Sequence, residues 1–143
     1  MVNKIIDGIS IKLNQTFGDK YNIYTETVKQ GFKEPCFFIM VLNSEETPMM
    51  GTRYFREYSL DIHYFPRNRN DKNDEIIEVA EKLFDALEYV TIDNGNKIRG
   101  LKRNYEIVDD VLHFFITYKV FIRKIDTLTD NMENLQVKNS VKG

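Results

Sequence analysis

His63 and His113 are the two histidines of the chain, and with Asp61 they are the residues whose types could do metal chemistry. Two imidazoles and a carboxylate are a ligand set used for zinc and related transition metals. Both histidines fall on the more polar face of segments that read as strands. If those strands paired, Asp61, His63 and His113 would lie close together. The three are not in a tight ligand motif and no fourth ligand is evident, so two solvated surface histidines is the simpler reading. Cys36, the single cysteine, sits in the apolar run Cys36–Leu42 and reads as a small packed hydrophobe rather than a nucleophile. The seven glycines are scattered, so no Gly-rich phosphate loop exists. No serine lies in a nucleophile-elbow pattern. Carboxylate pairs such as Glu45-Glu46 and Asp109-Asp110 fall in expected loops and turns, where they serve turn geometry and solubility. The sequence therefore predicts a protein that is not an enzyme, with no cofactor and no metal.

Two basic clusters remain. Arg53, Arg56, Arg67, Arg69 and Lys72 form one, and Lys97, Arg99, Lys102 and Arg103 the other, with Tyr54, Phe55, Tyr58 and Tyr105 interleaved. Such a pattern can track a nucleic-acid backbone. However, 20 basic residues face 22 acidic ones for a net charge of −2, and acids such as Glu57, Asp61 and Glu106 are neighbours. A charged sheet face is the simpler reading, and nucleic-acid binding is kept as an alternative of another class. Near-neutral charge also gives no field toward an anionic membrane.

Protein contacts are better supported. The chain has ten phenylalanines and eight tyrosines but no tryptophan, and some strands read as apolar on both faces. Met49 and Met50 fall in an expected loop, and methionine is enriched at interfaces. Met49, Met50, Arg53, Arg56, Arg67 and Arg69 are the candidate partner-contact residues.

These residues must be positioned by a chain of 143 residues, a length suited to one domain that folds without disulfide or metal. A lone cysteine fits a reducing, cytoplasmic setting. The opening segment is too polar for a signal peptide, and no apolar run has the length of a membrane helix. Val2, Ile5, Ile6, Ile9, Leu13 and Phe17 form one helical stripe, stopped by Gly18-Asp19. Tyr21–Val28 alternates as a strand. Cys36–Leu42 reads as a central strand, with a helix on one face and a neighbouring subunit on the other. Asn43–Thr52, with Pro48 and Gly51, reads as a loop. Arg53–Phe65 is the clearest strand, long enough to extend as an arm of a hairpin. After a polar loop, Asn73 or Asp74 is placed to cap a helix over Ile76, Ile77, Ala80, Leu83, Phe84 and Leu87. Val90-Thr91-Ile92 is short and extended, and Asn94-Gly95 signals a hairpin. Lys97–Ile107 and Val111–Ile125 are two more strands around the Asp109-Asp110 turn. The expected order is α-β-β-β-α-β-β. The fold class is α+β, a mainly antiparallel sheet of about five strands with two helices on one face. Residues 1–125 form the domain, and residues 126–143 a flexible tail or arm.

The segment NKIIDGISIKLNQTFG, followed by YNIYTETVKQGFKEPCFFI with its Gln-Gly-x-x-x-Pro-x-Phe-Phe turn, resembles small phage proteins of clostridia and bacilli. So do the strand Tyr58–Pro66 and the helix around Glu78–Leu87. Over residues 2–125 the chain is similar to the phage tail terminator-like family of prophages and phage-tail-like bacteriocins. The resemblance implies a structural virion protein, assembled in the bacterial cytoplasm and then part of the particle. It would cap the head-proximal end of a tail tube and stop its polymerisation. It would act as a ring, usually a hexamer, that contacts tube, sheath and connector proteins, and a monomer in solution is compatible with that. A head–tail connector or neck protein is the alternative within the same particle. The resemblance carries no catalytic or ligand residues.

Overall fold

The computed structural model describes residues 1–25, 31–67, 70 and 72–125. Helix α1 is Val2–Phe17, and strands β1, β2 and β3 are Asn22–Tyr24, Cys36–Pro48 and Arg53–Phe65. Helix α2 is Lys72–Ala86, and β4, β5 and β6 are Tyr89–Thr91, Lys97–Val108 and Val111–Arg123. The strands form one sheet in the order β1-β2-β3-β6-β5-β4. β1 runs parallel to β2, and the other neighbours are antiparallel. The sixth strand, beyond the expected five, is β4, built from the short extended segment before Asn94-Gly95.

Period-two patterning makes the core. Tyr58, Leu60, Ile62 and Tyr64 of β3 and Leu112, Phe114, Ile116, Tyr118 and Val120 of β6 share one buried face. Phe37 and Ile39 continue it on β2. Ile5, Ile9 and Leu13 of α1 and Ile76, Val79, Ala80 and Leu83 of α2 pack against it, so both helices lie on the same side. Each fully buried Leu or Ile contributes roughly 1.5–3 kcal/mol of transfer free energy. The Asp109-Asp110 and Asn94-Gly95 turns both have two successive positive φ angles, as primed hairpin turns require.

Two glycines set the spacing of the layers. A Cβ on Gly8 of α1 would stand 2.7 Å from the Thr91 carbonyl oxygen of β4. A Cβ on Gly100 of β5 would stand 2.8 Å from the Leu87 carbonyl oxygen and 2.5 Å from Ile116 Cδ1. Between α2 and the sheet, the Tyr64 hydroxyl donates to Glu75 Oε2, and the Arg67 backbone N–H donates to the same oxygen at 3.0 Å. Burial, then the bond to Glu75, pushes the Tyr64 hydroxyl well above its ordinary pKa.

The structure corrects the sequence reading in three places. Asn43–Thr52 is not a loop: β2 continues to Pro48, and only the turn separates it from Arg53. Its far half was hidden because Val41–Pro48 is exposed throughout, and a strand with solvent on both faces carries no hydrophobic alternation. Asn73 and Asp74 lie inside α2, which starts at Lys72, so neither is its cap. The second face of Cys36–Leu42 is covered in part by the chain itself. Phe32 packs on Phe38 and Phe65 with ring centroids 5.6 and 5.0 Å away, and Tyr24 stacks on Phe38 at 5.0 Å. The expected tail 126–143 and the far end of the Tyr21–Val28 strand lie outside the described residues.

Cys36 and Phe38 are buried under that aromatic corner. Burial, with a smaller push from Glu34, raises the Cys36 thiol to about 12. The thiolate is the reactive form, so at pH 8 the native protein should resist a thiol-reactive dye that labels it promptly in urea. Prompt native labelling would show that the corner opens.

Candidate interaction surface

β2 and β3 form a long hairpin whose register runs from Cys36 opposite Phe65 to Pro48 opposite Tyr54. A bulge between Val41 and Asn43 adds a residue where the hairpin leaves the body and increases the local twist. β6 backs the hairpin as far as Arg123, opposite Arg53. β5 pairs with β6 only up to Tyr118, opposite Gly100. The outer part of the sheet is therefore a three-stranded arm built from the far halves of β2, β3 and β6.

Ion pairs hold the arm together on one face. Glu46 of β2 accepts from Arg56 Nε of β3 and from Lys124 Nζ just after β6, each at 2.8 Å. Those two hydrogen bonds hold the Glu46 carboxyl below its usual range. Lys124 also lies 4.2 Å from the Tyr54 ring centroid. On the other face, Lys119 Nζ sits 4.0 Å from the ring centroid of Phe55 and 5.6 Å from that of Phe121.

The tip is different in character. The Met49 N–H donates to the Arg53 carbonyl at 2.8 Å, and Gly51 supplies the positive φ of the turn. Met50 is 85% exposed and Phe121 67% exposed, and Ile125, just past β6, is 80% exposed. Arg53 and Arg123 are directly opposed across β3 and β6, and neither takes part in an ion pair among the described residues. Like charges in that position cost stability. The tip thus presents flexible apolar surface beside two guanidinium groups that have no ion-pair partner among the described residues, which favours a partner with apolar and acidic groups.

The structure separates the six candidate contact residues. Met49, Met50 and Arg53 stand together at the tip. Arg56 is engaged by Glu46. Arg67 lies past the opposite end of β3, 5.2 Å from the Tyr21 ring centroid and 3.7 Å from Glu75 Oε2. Arg69 lies outside the described residues. The basic cluster around Arg53–Lys72 is therefore not one patch. In the second cluster, Arg99 pairs with Glu88 at 3.4 Å, and Arg103 donates to the Phe84 carbonyl. Sequence reasoning missed Phe121 and Arg123. The signal was present in their position at the end of a strand otherwise read as regular.

Asp61, His63 and His113 do come together, on the sheet face away from the helices. His63 and His113 are directly opposed across β3 and β6. His63 Nε2 is 2.8 Å and His113 Nδ1 3.1 Å from Asp61 Oδ2. Both histidines are only partly exposed and Asp61 is buried, so the expected pair of freely solvated surface histidines is a more enclosed cluster.

The fold is an α+β body carrying a three-stranded, apolar-tipped arm. Residues 4–130 match the family model described as phage tail terminator protein, and the chain belongs to that family. Its role is accordingly that of a structural protein of a phage tail. No curated protein matches the chain. Among the described residues no helix is long and apolar enough to cross a membrane.

Proposed function

We propose that the protein caps the head-proximal end of a tail tube and stops its polymerisation, assembling there as a closed ring with the arm tip against its partner. The arm carries this reading within the family: Met50 and Phe121 are exposed where a lone domain gains nothing from exposing them,. Ring closure needs a heterologous interface, in which one surface of each copy meets a different surface of the next. Among the described residues, two sheet edges are open to it. β1 covers β2 only at Cys36–Phe38, and β4 covers β5 only at Lys97–Arg99. The outer edges beyond those pairings can accept a strand from a neighbouring copy. Tube and sheath proteins are the partners on this reading.

Purified protein added to isolated, growing tail tubes tests it by negative-stain electron microscopy. Rings at one end of the tubes, with elongation halted, are the outcome this function requires. Bare ends and continued growth at high protein concentration would remove the capping role and leave the connector reading.

A further inference from the structure

We propose that Asp61, His63 and His113 form a binding site for one divalent transition-metal ion of the zinc class, bridging the two central strands. This is independent of the capping role. Three features of the strands assemble the site. Directly opposed residues of an antiparallel pair have neighbouring side chains, which places His63 beside His113,. Asp61, two residues before His63, emerges on the same face. Asp61 is opposite Phe115, one step along the face from His113, so its carboxyl lies diagonal to that imidazole. One ligand atom from each residue lies within 4.8 Å of the other two.

The dimensions suit a small ion. Zinc–nitrogen and zinc–oxygen bonds of roughly 2.0–2.2 Å place tetrahedral ligands roughly 3.3–3.5 Å apart. The two His–Asp separations, 2.8 and 3.1 Å, are slightly shorter. The imidazoles and the carboxyl are joined by hydrogen bonds, and a bound metal would take the place of the bridging protons. The third side, between the two ligating nitrogens, is at most 4.8 Å, and closing it to that spacing takes a combined movement of up to about 1.5 Å shared by two side chains. Both ligating nitrogens, His63 Nε2 and His113 Nδ1, already face the same oxygen, Asp61 Oδ2.

The surroundings favour capture. Asp61 Oδ1 is buried and makes no hydrogen bond among the described residues. A buried carboxyl oxygen without a partner carries a desolvation cost, which a neighbouring cation offsets. Phe38 lies opposite His63 on β2, and the Phe115 ring is nearly parallel to that of His113, with centroids 6.4 Å apart. These rings form an apolar wall that limits competing water. The histidine side chains keep 20% and 23% of their surface exposed, which gives an ion a way in and leaves its remaining positions to water. Two nitrogens and one oxygen select zinc, cobalt or nickel over calcium and magnesium, which prefer all-oxygen sites.

The test uses the full chain without a histidine tag, stripped with chelator and dialysed. Cobalt(II) is titrated in as a visible probe. The site requires absorption bands of low-coordinate cobalt that saturate at one ion per chain and disappear when zinc is added. Zinc should also raise the melting temperature, since the three ligands are gathered only in the folded state and it binds that state more tightly. His63→Gln and His113→Gln, at partly exposed positions, should fold by circular dichroism. Each should bind at least about 10–100-fold more weakly, the loss known for groups that merely support a metal ligand. Absorbance that grows without saturating overturns the proposal. So does saturable binding of equal strength in both variants, which would place the ion elsewhere.

Discussion

Gly100→Ala should lower the stability of the domain by about 1–3 kcal/mol, the usual cost of forcing extra volume into a packed site. The added methyl would meet two atoms at once. Ile116 Cδ1, at 2.5 Å, is the end of a flexible side chain and can turn away. The Leu87 carbonyl oxygen, at 2.8 Å, is backbone and cannot move alone. That oxygen accepts the hydroxyl of fully buried Tyr118 at 2.8 Å, and the next carbonyl, of Glu88, accepts the Gly100 N–H at 2.7 Å. Displacing this stretch therefore strains both bonds, and a buried hydroxyl left without its partner costs about 1–3 kcal/mol more. Gly8→Ala makes a sharper comparison. Alanine in mid-helix normally gains about 1 kcal/mol over glycine. Here the methyl would press on the Thr91 carbonyl oxygen at 2.7 Å, so the sign should reverse. Urea midpoints of the two variants check both statements. A Gly8→Ala protein more stable than the parent would mean that α1 shifts off β4 without penalty.

Met50→Asp should leave the fold intact and weaken binding to the tube end by about 30-fold or more, the loss typical of an interface anchor. Met50 is 85% exposed, and a change at such a position alters stability by about 0.5 kcal/mol or less. The aspartate would place a charge where the capping role requires desolvated apolar contact. It would also lie near Arg53 and Arg123 and give them an internal partner, lowering the attraction for an acidic one. Lys82→Asp, on the exposed face of α2, serves as the control and should bind as the parent does. Co-sedimentation with tail tubes reads the difference. Equal binding by both variants would move the contact away from the arm.

Much of the fold was legible because two periodicities were clean. The stripe Ile5, Ile9, Leu13 marked the buried face of α1, and the alternation Tyr58, Leu60, Ile62, Tyr64 marked that of β3. Asn94-Gly95 and Asp109-Asp110 identified two turns from residue type alone. The arm was not legible. Glu45, Glu46 and Pro48 look like loop residues, and they are strand residues only because Arg56 and Tyr54 stand across from Glu46 and Pro48. That information is non-local and has no period. The His–Asp cluster was legible as a conditional statement: if the two strands pair, the residues meet. What the sequence could not supply was the register, one residue of which would have sent His113 to the other face. Arg53 and Arg67 shared a cluster in the sequence because only 14 positions part them, yet Arg53 opens the 13-residue strand β3 and Arg67 lies past its other end.

The third strand of the arm bears on how fast the protein can dock on a partner. A two-stranded hairpin in water is marginal by itself, and a loop that folds on contact gives up part of its binding energy to ordering. With β6 bonded along β3 to Arg123, and Glu46 tied to both Arg56 and Lys124, the arm has its shape before any partner arrives. Docking then resembles the meeting of two rigid surfaces, whose rate is governed by encounter and orientation. If the protein caps a tube end as proposed, where the next tube subunit would compete for the same place, a pre-shaped arm would turn the contest into one of concentration and arrival.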